Sequence, residues 1–235
     1  MQTNWLLLGM LTSLMFCSCA NRTMRITPLV SSCDTATPRL KQAWKDLNEA
    51  IQSPGGCSQG NGTHCDLSRA QIERMSVDCP KNPDVVMANA LLAFEARNLI
   101  GAQQLLDELL GMSVAYPEAA SLRARIALQQ GNSKFAIRFL EEQIQISGDD
   151  PGLREIYASA LYLSGRYDEA QSQLMTAQRF GSPSWRIAFG QGLVEEAKGR
   201  FNEAASRYQD ALKIKPGWKQ AESHLRALEV SGRLK

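Results

Sequence analysis

The chain has 235 residues, of which 44% are hydrophobic and 21% charged, the composition of an ordinary globular protein. Lys and Arg number 26 against 24 Asp and Glu, and a formal net charge of +2 excludes a strong case for nucleic acid or an anionic membrane surface as partner. Nine basic residues against four acids from Lys198 onward read as a solvated helical face, with an acidic partner as the alternative.

The first element is apolar. NWLLLGMLTSLMFCSCA (Asn4–Ala20) is short for a bilayer span and ends in small residues, as a secretory signal does. Phe16-Cys17-Ser18 before Cys19 resembles the bacterial lipoprotein signal, in which a leucine-like residue and two small ones precede the lipidated cysteine. That resemblance implies a signal over 1–18, a palmitate-bearing anchor on Cys19 and contact with a membrane through the lipid. Cleavage after Ala20, giving a soluble periplasmic or secreted protein, is the alternative. No Lys or Arg precedes the run while Arg22 and Arg25 follow it, so either the true start is upstream or orientation depends on the amino terminus alone. Thr23–Thr37 has no clear period, and 19–37 reads as a tether.

Four cysteines remain beyond Cys17 and Cys19: Cys33, Cys57, Cys65 and Cys79. An even, clustered set in an exported chain reads as disulfides, with three possible pairings. Pro38–Ile51 and Asp66–Val77 have helical patterns and are joined by the loop SPGGCSQGNGTHC. In an antiparallel pair the start of one helix meets the end of the other, which predicts Cys33–Cys79 and, within the loop, Cys57–Cys65. Zinc held with the help of His64 is the alternative, though the spacing matches no C-x2-C pattern. Residues 38–80 are thus expected to form a clamped, atypical first hairpin.

From Pro83 the chain repeats itself. Ala102, Ala136, Ala170 and Ala204 recur at one constant interval, and Ala90, Ala124, Ala158 and Gly192 recur at the same one. Pro83, Pro117 and Pro151 share that interval, with Trp185 in the fourth place, and so do Leu106, Leu140, Leu174 and Tyr208. Gly131, Gly165 and Gly199 form a further series that fails only at Arg97. Each series has a physical reason. Proline suits the first turn of a helix, small residues allow a close helix crossing, and glycine accepts the positive φ of a tight reversal. In FNEAASRYQDALKI the residues Phe201, Ala204, Ala205, Tyr208, Ala211 and Leu212 form one helical stripe.

This pattern resembles the tetratricopeptide repeat (TPR) family, whose helix–turn–helix unit runs to about 34 residues, with small, aromatic and proline positions at fixed offsets. The fourth copy carries Gly192, Gly199, Phe201, Ala204, Tyr208, Ala211 and Pro216; the third Gly165, Tyr167, Ala170 and Ala177; the second Gly131 and Ala136; the first Ala102 and Leu106. The resemblance implies an all-α, right-handed solenoid of four repeats (83–116, 117–150, 151–184 and 185–216), closed by a capping helix within 217–235. It also implies a concave groove that binds a protein or peptide, lined by first helices. By phase its positions are Met87, Leu91 and Phe94; Ser121, Arg125 and Gln129; Glu155, Ser159 and Tyr162; and Phe189, Leu193 and Glu196. The Lys/Asn clamp with which some members hold a C-terminal carboxylate is absent from these positions.

Catalytic constellations are scarce. The two histidines, His64 and His224, are far apart in a solenoid, and Asp149-Asp150 reads as a helix start rather than a catalytic pair. No phosphate-binding, dinucleotide-binding or metal-spaced motif appears. Asn21 and Asn61 head glycosylation sequons, meaningful in a eukaryotic source only. The expectation is a non-enzymatic adaptor with no cofactor, no metal and no nucleic-acid partner. Similarity to small TPR lipoproteins of the pilotin type implies an outer-membrane lipoprotein that faces the periplasm and assists assembly of a pilus or secretion complex. An accessory subunit of a periplasmic cell-wall or proteolytic enzyme is the alternative.

Overall fold

The computed structural model describes residue 33 and residues 35–52, 62–112 and 115–233. Eleven helices and no strand occur among them: α1 (Ala36–Gln52), α2 (Gly62–Asp78), α3 (Pro83–Glu95), α4 (Leu99–Leu110), α5 (Pro117–Gln129), α6 (Ser133–Ile146), α7 (Pro151–Leu163), α8 (Tyr167–Arg179), α9 (Ser184–Ala197), α10 (Phe201–Ile214) and α11 (Lys219–Val230). Each odd-numbered helix packs against the even one that follows, giving five hairpins, and α11 lies on α10.

The local causes recur with the sequence series. Pro83, Pro117 and Pro151 each occupy a first helical turn, and Asn82 and Asp150 accept the backbone N–H of Val85 and Leu153 in front of two of them. Gly131, Gly165 and Gly199 all take φ +75°. In each of these turns the next residue donates its N–H to the fifth carbonyl before it: Asn132 to Ala127, Arg166 to Leu161 and Arg200 to Glu195, all at 2.9 Å. Arg97, where the glycine series fails, takes φ +61°, and Asn98 makes the same 2.9 Å bond to Ala93. The turn geometry is therefore kept without the residue that makes it easy.

Close packing explains the small residues. Ala102, Ala136, Ala170 and Ala204 are fully buried. A Cβ on Gly192 would lie 2.5 Å from the ring of Tyr208, itself fully buried, so that position excludes even a methyl group. Leu106 and Leu140 are likewise completely enclosed. Burial passes from hairpin to hairpin, as a solenoid requires. The core of α1 and α2 (Leu40, Leu47, Ile72, Met75) extends onto Val85, Ala88 and Leu92 of α3. Asp84 adds a polar tie, accepting the hydroxyls of Thr37 and Tyr116, each at 2.8 Å.

The first hairpin carries a disulfide between Cys33 and Cys79, with Cα atoms 5.3 Å apart. Cys65 is disulfide-bonded as well; Cys57, its expected partner, lies outside the described residues, as does Cys19. The bridged sulfurs of Cys33, Cys65 and Cys79 offer no thiolate, and no group of His, Cys, Asp or Glu among the described residues could hold a metal ion. One expectation needs correction: Gly62–Cys65 is the first turn of α2, not loop. After Gly62 no Gly or Pro interrupts the chain before Pro80, so the helix starts earlier than the apolar pattern indicated. No described helix is long and apolar enough to cross a membrane.

Candidate protein-binding groove

First helices touch their successors, α1 with α3, α5 with α7 and α7 with α9, whereas no second helix packs as closely on the next one. The first helices therefore line the inner side of the curve. The twelve positions chosen by phase do not behave alike along it.

In α3 they belong mainly to the core. Met87 is 9% exposed, and Leu91 and Phe94 pack against the cluster formed by Ala102, Leu106, Leu109 and Ile126. At the other end Phe189 is enclosed by rings, with centroids 4.6 Å from Trp218, 5.6 Å from Tyr208 and 5.5 Å from His224. Trp218 meets Trp185 edge-on at 4.6 Å, and Lys215 sits 3.9 Å over the Trp185 ring. Glu196 is engaged too: its Oε2 accepts the Tyr208 hydroxyl at 2.5 Å and lies 3.0 Å from His224 Nδ1. Burial first, and then this carboxylate, push the Tyr208 hydroxyl far above its usual range.

The middle is different. Ser121, Arg125 and Gln129 lie on α5 and Glu155, Ser159 and Tyr162 on α7, two helices that pack on each other. Glu155 is 14% exposed and has both oxygens occupied: Oε1 accepts the Ser182 hydroxyl at 2.7 Å and Oε2 lies 2.5 Å from Arg186 Nη2. Arg125 and Gln129 are exposed. Arg125 forms no hydrogen bond or ion pair with the described residues, and its pKa is lowered, first by desolvation and then by the like charge of Arg186, with Glu155 opposing. A side chain can be both accessible and poorly solvated when it stands in a concavity. The Ser121 hydroxyl is buried without a partner among the described residues. Ser159 donates to the backbone carbonyl of Glu155 at 3.0 Å, which turns its side chain along α7.

Beside Ser159 and Tyr162 the groove floor opens into a small apolar slot of about 40 Å³, lined also by Leu174, Gly190 and Leu193. Gly190 forms part of its wall: Leu174 of α8 packs so closely on it that a Cβ there would lie 2.8 Å from a Leu174 methyl, which brings that side chain through to the slot. Burial, and then Glu196, raise the pKa of Tyr162 on the slot wall, and its ring is tilted against Tyr167 at 5.8 Å.

The structure thus brings together Arg125, Glu155, Ser159, Tyr162 and Leu193, and separates them from Met87, Leu91, Phe94 and Phe189. Arg186 and Gly190 were missed by the phase. Arg186 lies three residues before Phe189, on the same stripe but one turn ahead of the first sampled position, and a mid-helix glycine was the available signal for a close approach.

Comparison with known proteins agrees with this architecture. A family model described as tetratricopeptide repeat matches residues 154–217. TTC0263, a thermophilic TPR protein of Thermus thermophilus, superposes with a TM-score of 0.65 at 15% identity over 80% of this chain and 99% of its own. Pseudomonas aeruginosa pilF gives 0.60 at 16% identity, over 86% and 82%. YrrB, described as a TPR protein with an unusual peptide-binding site, gives 0.50 at 14% identity, over 80% and 95%. No curated protein matches the sequence. Residues 154–217 thus match tetratricopeptide repeats, and the fold of the described residues is that of a TPR solenoid.

Proposed function

We propose that this chain is an exported, non-enzymatic adaptor that holds a segment of a partner protein in the groove of α5, α7 and α9 and assists assembly of a bacterial envelope complex of pilus or secretion type. The observation that carries the binding role is the slot beside Ser159 and Tyr162. It is an apolar recess on an inner face, walled in part by Gly190, a residue that weakens its own helix by roughly 1 kcal/mol relative to alanine. A recess of that kind accepts a side chain from outside and excludes water around it. The peptide-binding site of YrrB supports peptide recognition on this fold, and the likeness to pilF supports the envelope role, by analogy of fold.

Address rests on the sequence. Lipidation of Cys19 would hold the adaptor at the outer membrane, facing the periplasm. Replacing Cys19 with Ser is expected to release it from the membrane fraction; retention with no lipid adduct overturns the anchor. The function is tested by cross-linking in intact cells with mass spectrometry of the adducts. One envelope protein is expected to cross-link through residues around Tyr162 and to be lost when Ser159→Phe fills the slot. A partner that persists in that variant places binding elsewhere.

A further inference from the structure

The charges around the slot say more about what fills it. Both carboxylates near the slot are engaged: the oxygens of Glu155 are taken by Arg186 and the Ser182 hydroxyl, and Glu196 is held by Tyr208 and His224. Arg125, which feels both Arg186 and Glu155, is the charge left without a counterpart of its own. It has no hydrogen-bonding or ionic partner among the described residues, and it is poorly solvated and repelled by its neighbour. A guanidinium in that position gains from a carboxylate more than a freely hydrated surface arginine does.

We infer that the groove recognises an acidic peptide segment in which an Asp or Glu side chain meets Arg125 while an aliphatic side chain two or three positions away enters the Gly190 slot. This rests on the groove reading above. The spacing follows from the repeat. Arg125, Ser159 and Leu193 hold the same place in three successive repeats and so share one level on three successive first helices. Adjacent helix axes lie about 8–10 Å apart, which an extended chain covers in about three residues. The same level continues to Leu91 of α3 on one side and to Ala227 of α11 on the other. A chain crossing both features therefore runs on past each, and the acid is an internal side chain rather than a chain terminus. Aliphatic burial supplies affinity, and the charge sets position along the groove.

The test uses the full chain and a library of peptides fused at both ends, so that none has a free carboxylate. Selected sequences are expected to pair Asp or Glu with Leu, Ile, Val or Met at the stated spacing. A synthetic, amidated member, followed by fluorescence anisotropy, is expected to lose about tenfold or more in affinity on Arg125→Gln, and similarly when its own Glu becomes Gln. Its binding is expected to weaken with salt in wild type and much less in Arg125→Gln. Ser159 is exposed, so Ser159→Phe blocks the slot without touching the core and abolishes binding.

Peptides that lack an acid, or that bind Arg125→Gln as tightly as wild type but fail on Ser159→Phe, leave the groove reading standing and overturn this inference. Binding only by peptides with a free C-terminal carboxylate overturns the internal acid. Failure to select any peptide, or binding indifferent to both variants, removes the groove reading and this inference with it.

Discussion

The first hairpin and the last solve the same problem by different means. In α1–α2 the helices are held by Cys33–Cys79 around a small core of Leu40, Leu47, Ile72 and Met75. In α9–α10 there is no covalent link. Gly192 lets α10 come close enough for Tyr208 to be fully buried, and Gly199 turns the chain between them. The first hairpin has a neighbour on one side among the described residues, α3, whereas α9–α10 is flanked by α7–α8 and by α11. A hairpin inside a stack draws stability from both interfaces, and one at the end needs a substitute. The bridge is that substitute.

Removing it should have the largest effect. The bridge spans 46 residues, for which loop-closure entropy gives about 4 kcal/mol. Cys33→Ala with Cys79→Ala is expected to lower the opening free energy of α1 and α2 amides by roughly that amount in hydrogen exchange, with α9 and α10 protected as before. Equal loss at both ends would show that the stack unfolds as one unit and would erase the contrast. The converse change is smaller. Gly192→Ala forces a methyl against a rigid, enclosed ring, an overpacking cost of about 1–3 kcal/mol that alanine's helix propensity offsets by about 1. Its loss should appear in α9–α11 and leave the bridged hairpin unchanged; a stabilised Gly192→Ala would mean that the crossing has slack.

What the sequence disclosed follows the same division. Turns, helix starts and buried alanines depend on neighbours a few residues away and recur once per repeat, so a period reveals them. Arg186 and Ser182, which both reach back to Glu155 from the following repeat boundary, break the period, because side-chain length and direction decide them. Phe189 occupies a groove position by phase but is covered by Trp218, whose placement depends on how the chain enters α11. In α3 the apolar surface is broad (Val85, Val86, Leu92), so phase alone cannot separate groove from core. The slot was legible only as a glycine inside a helix.

Ties between hairpins give a finer comparison. The Tyr157 hydroxyl of α7 donates to Glu141 Oε1 of α6 at 2.8 Å, in the middle of the stack. Its pKa is pushed from 10 up to about 12, by burial first and then by Glu141. Because the folded value is the higher one, this contribution is complete below pH 10 and is lost as the pH rises to about 12. Tyr157→Phe is expected to cost about 1 kcal/mol at neutral pH. The gap between variant and wild type should close across that alkaline window in denaturant titrations. A constant gap would mean that the ring, not the hydroxyl, is what matters.

The smallest effect concerns the one turn that departs from its series. Arg97 holds φ +61° where Gly131, Gly165 and Gly199 hold +75°. A left-handed conformation costs a residue with a Cβ about 1–2 kcal/mol, and glycine's greater freedom in the unfolded chain returns about 0.5–1 of that. Arg97 is exposed and makes no side-chain bond among the described residues, so nothing else is lost on replacing it. Arg97→Gly should therefore stabilise α3–α4 by about 0.5 kcal/mol. Gly165→Ala, where an added Cβ meets nothing within 4 Å, should destabilise α7–α8 by a similar amount. Opposite signs of similar size would establish that the four turns are one structure differing only in backbone strain. If Arg97→Gly is neutral while Gly165→Ala destabilises, the first turn has relaxed in a way the others have not, and the strain in the stack grades from the bridged end to the unbridged one.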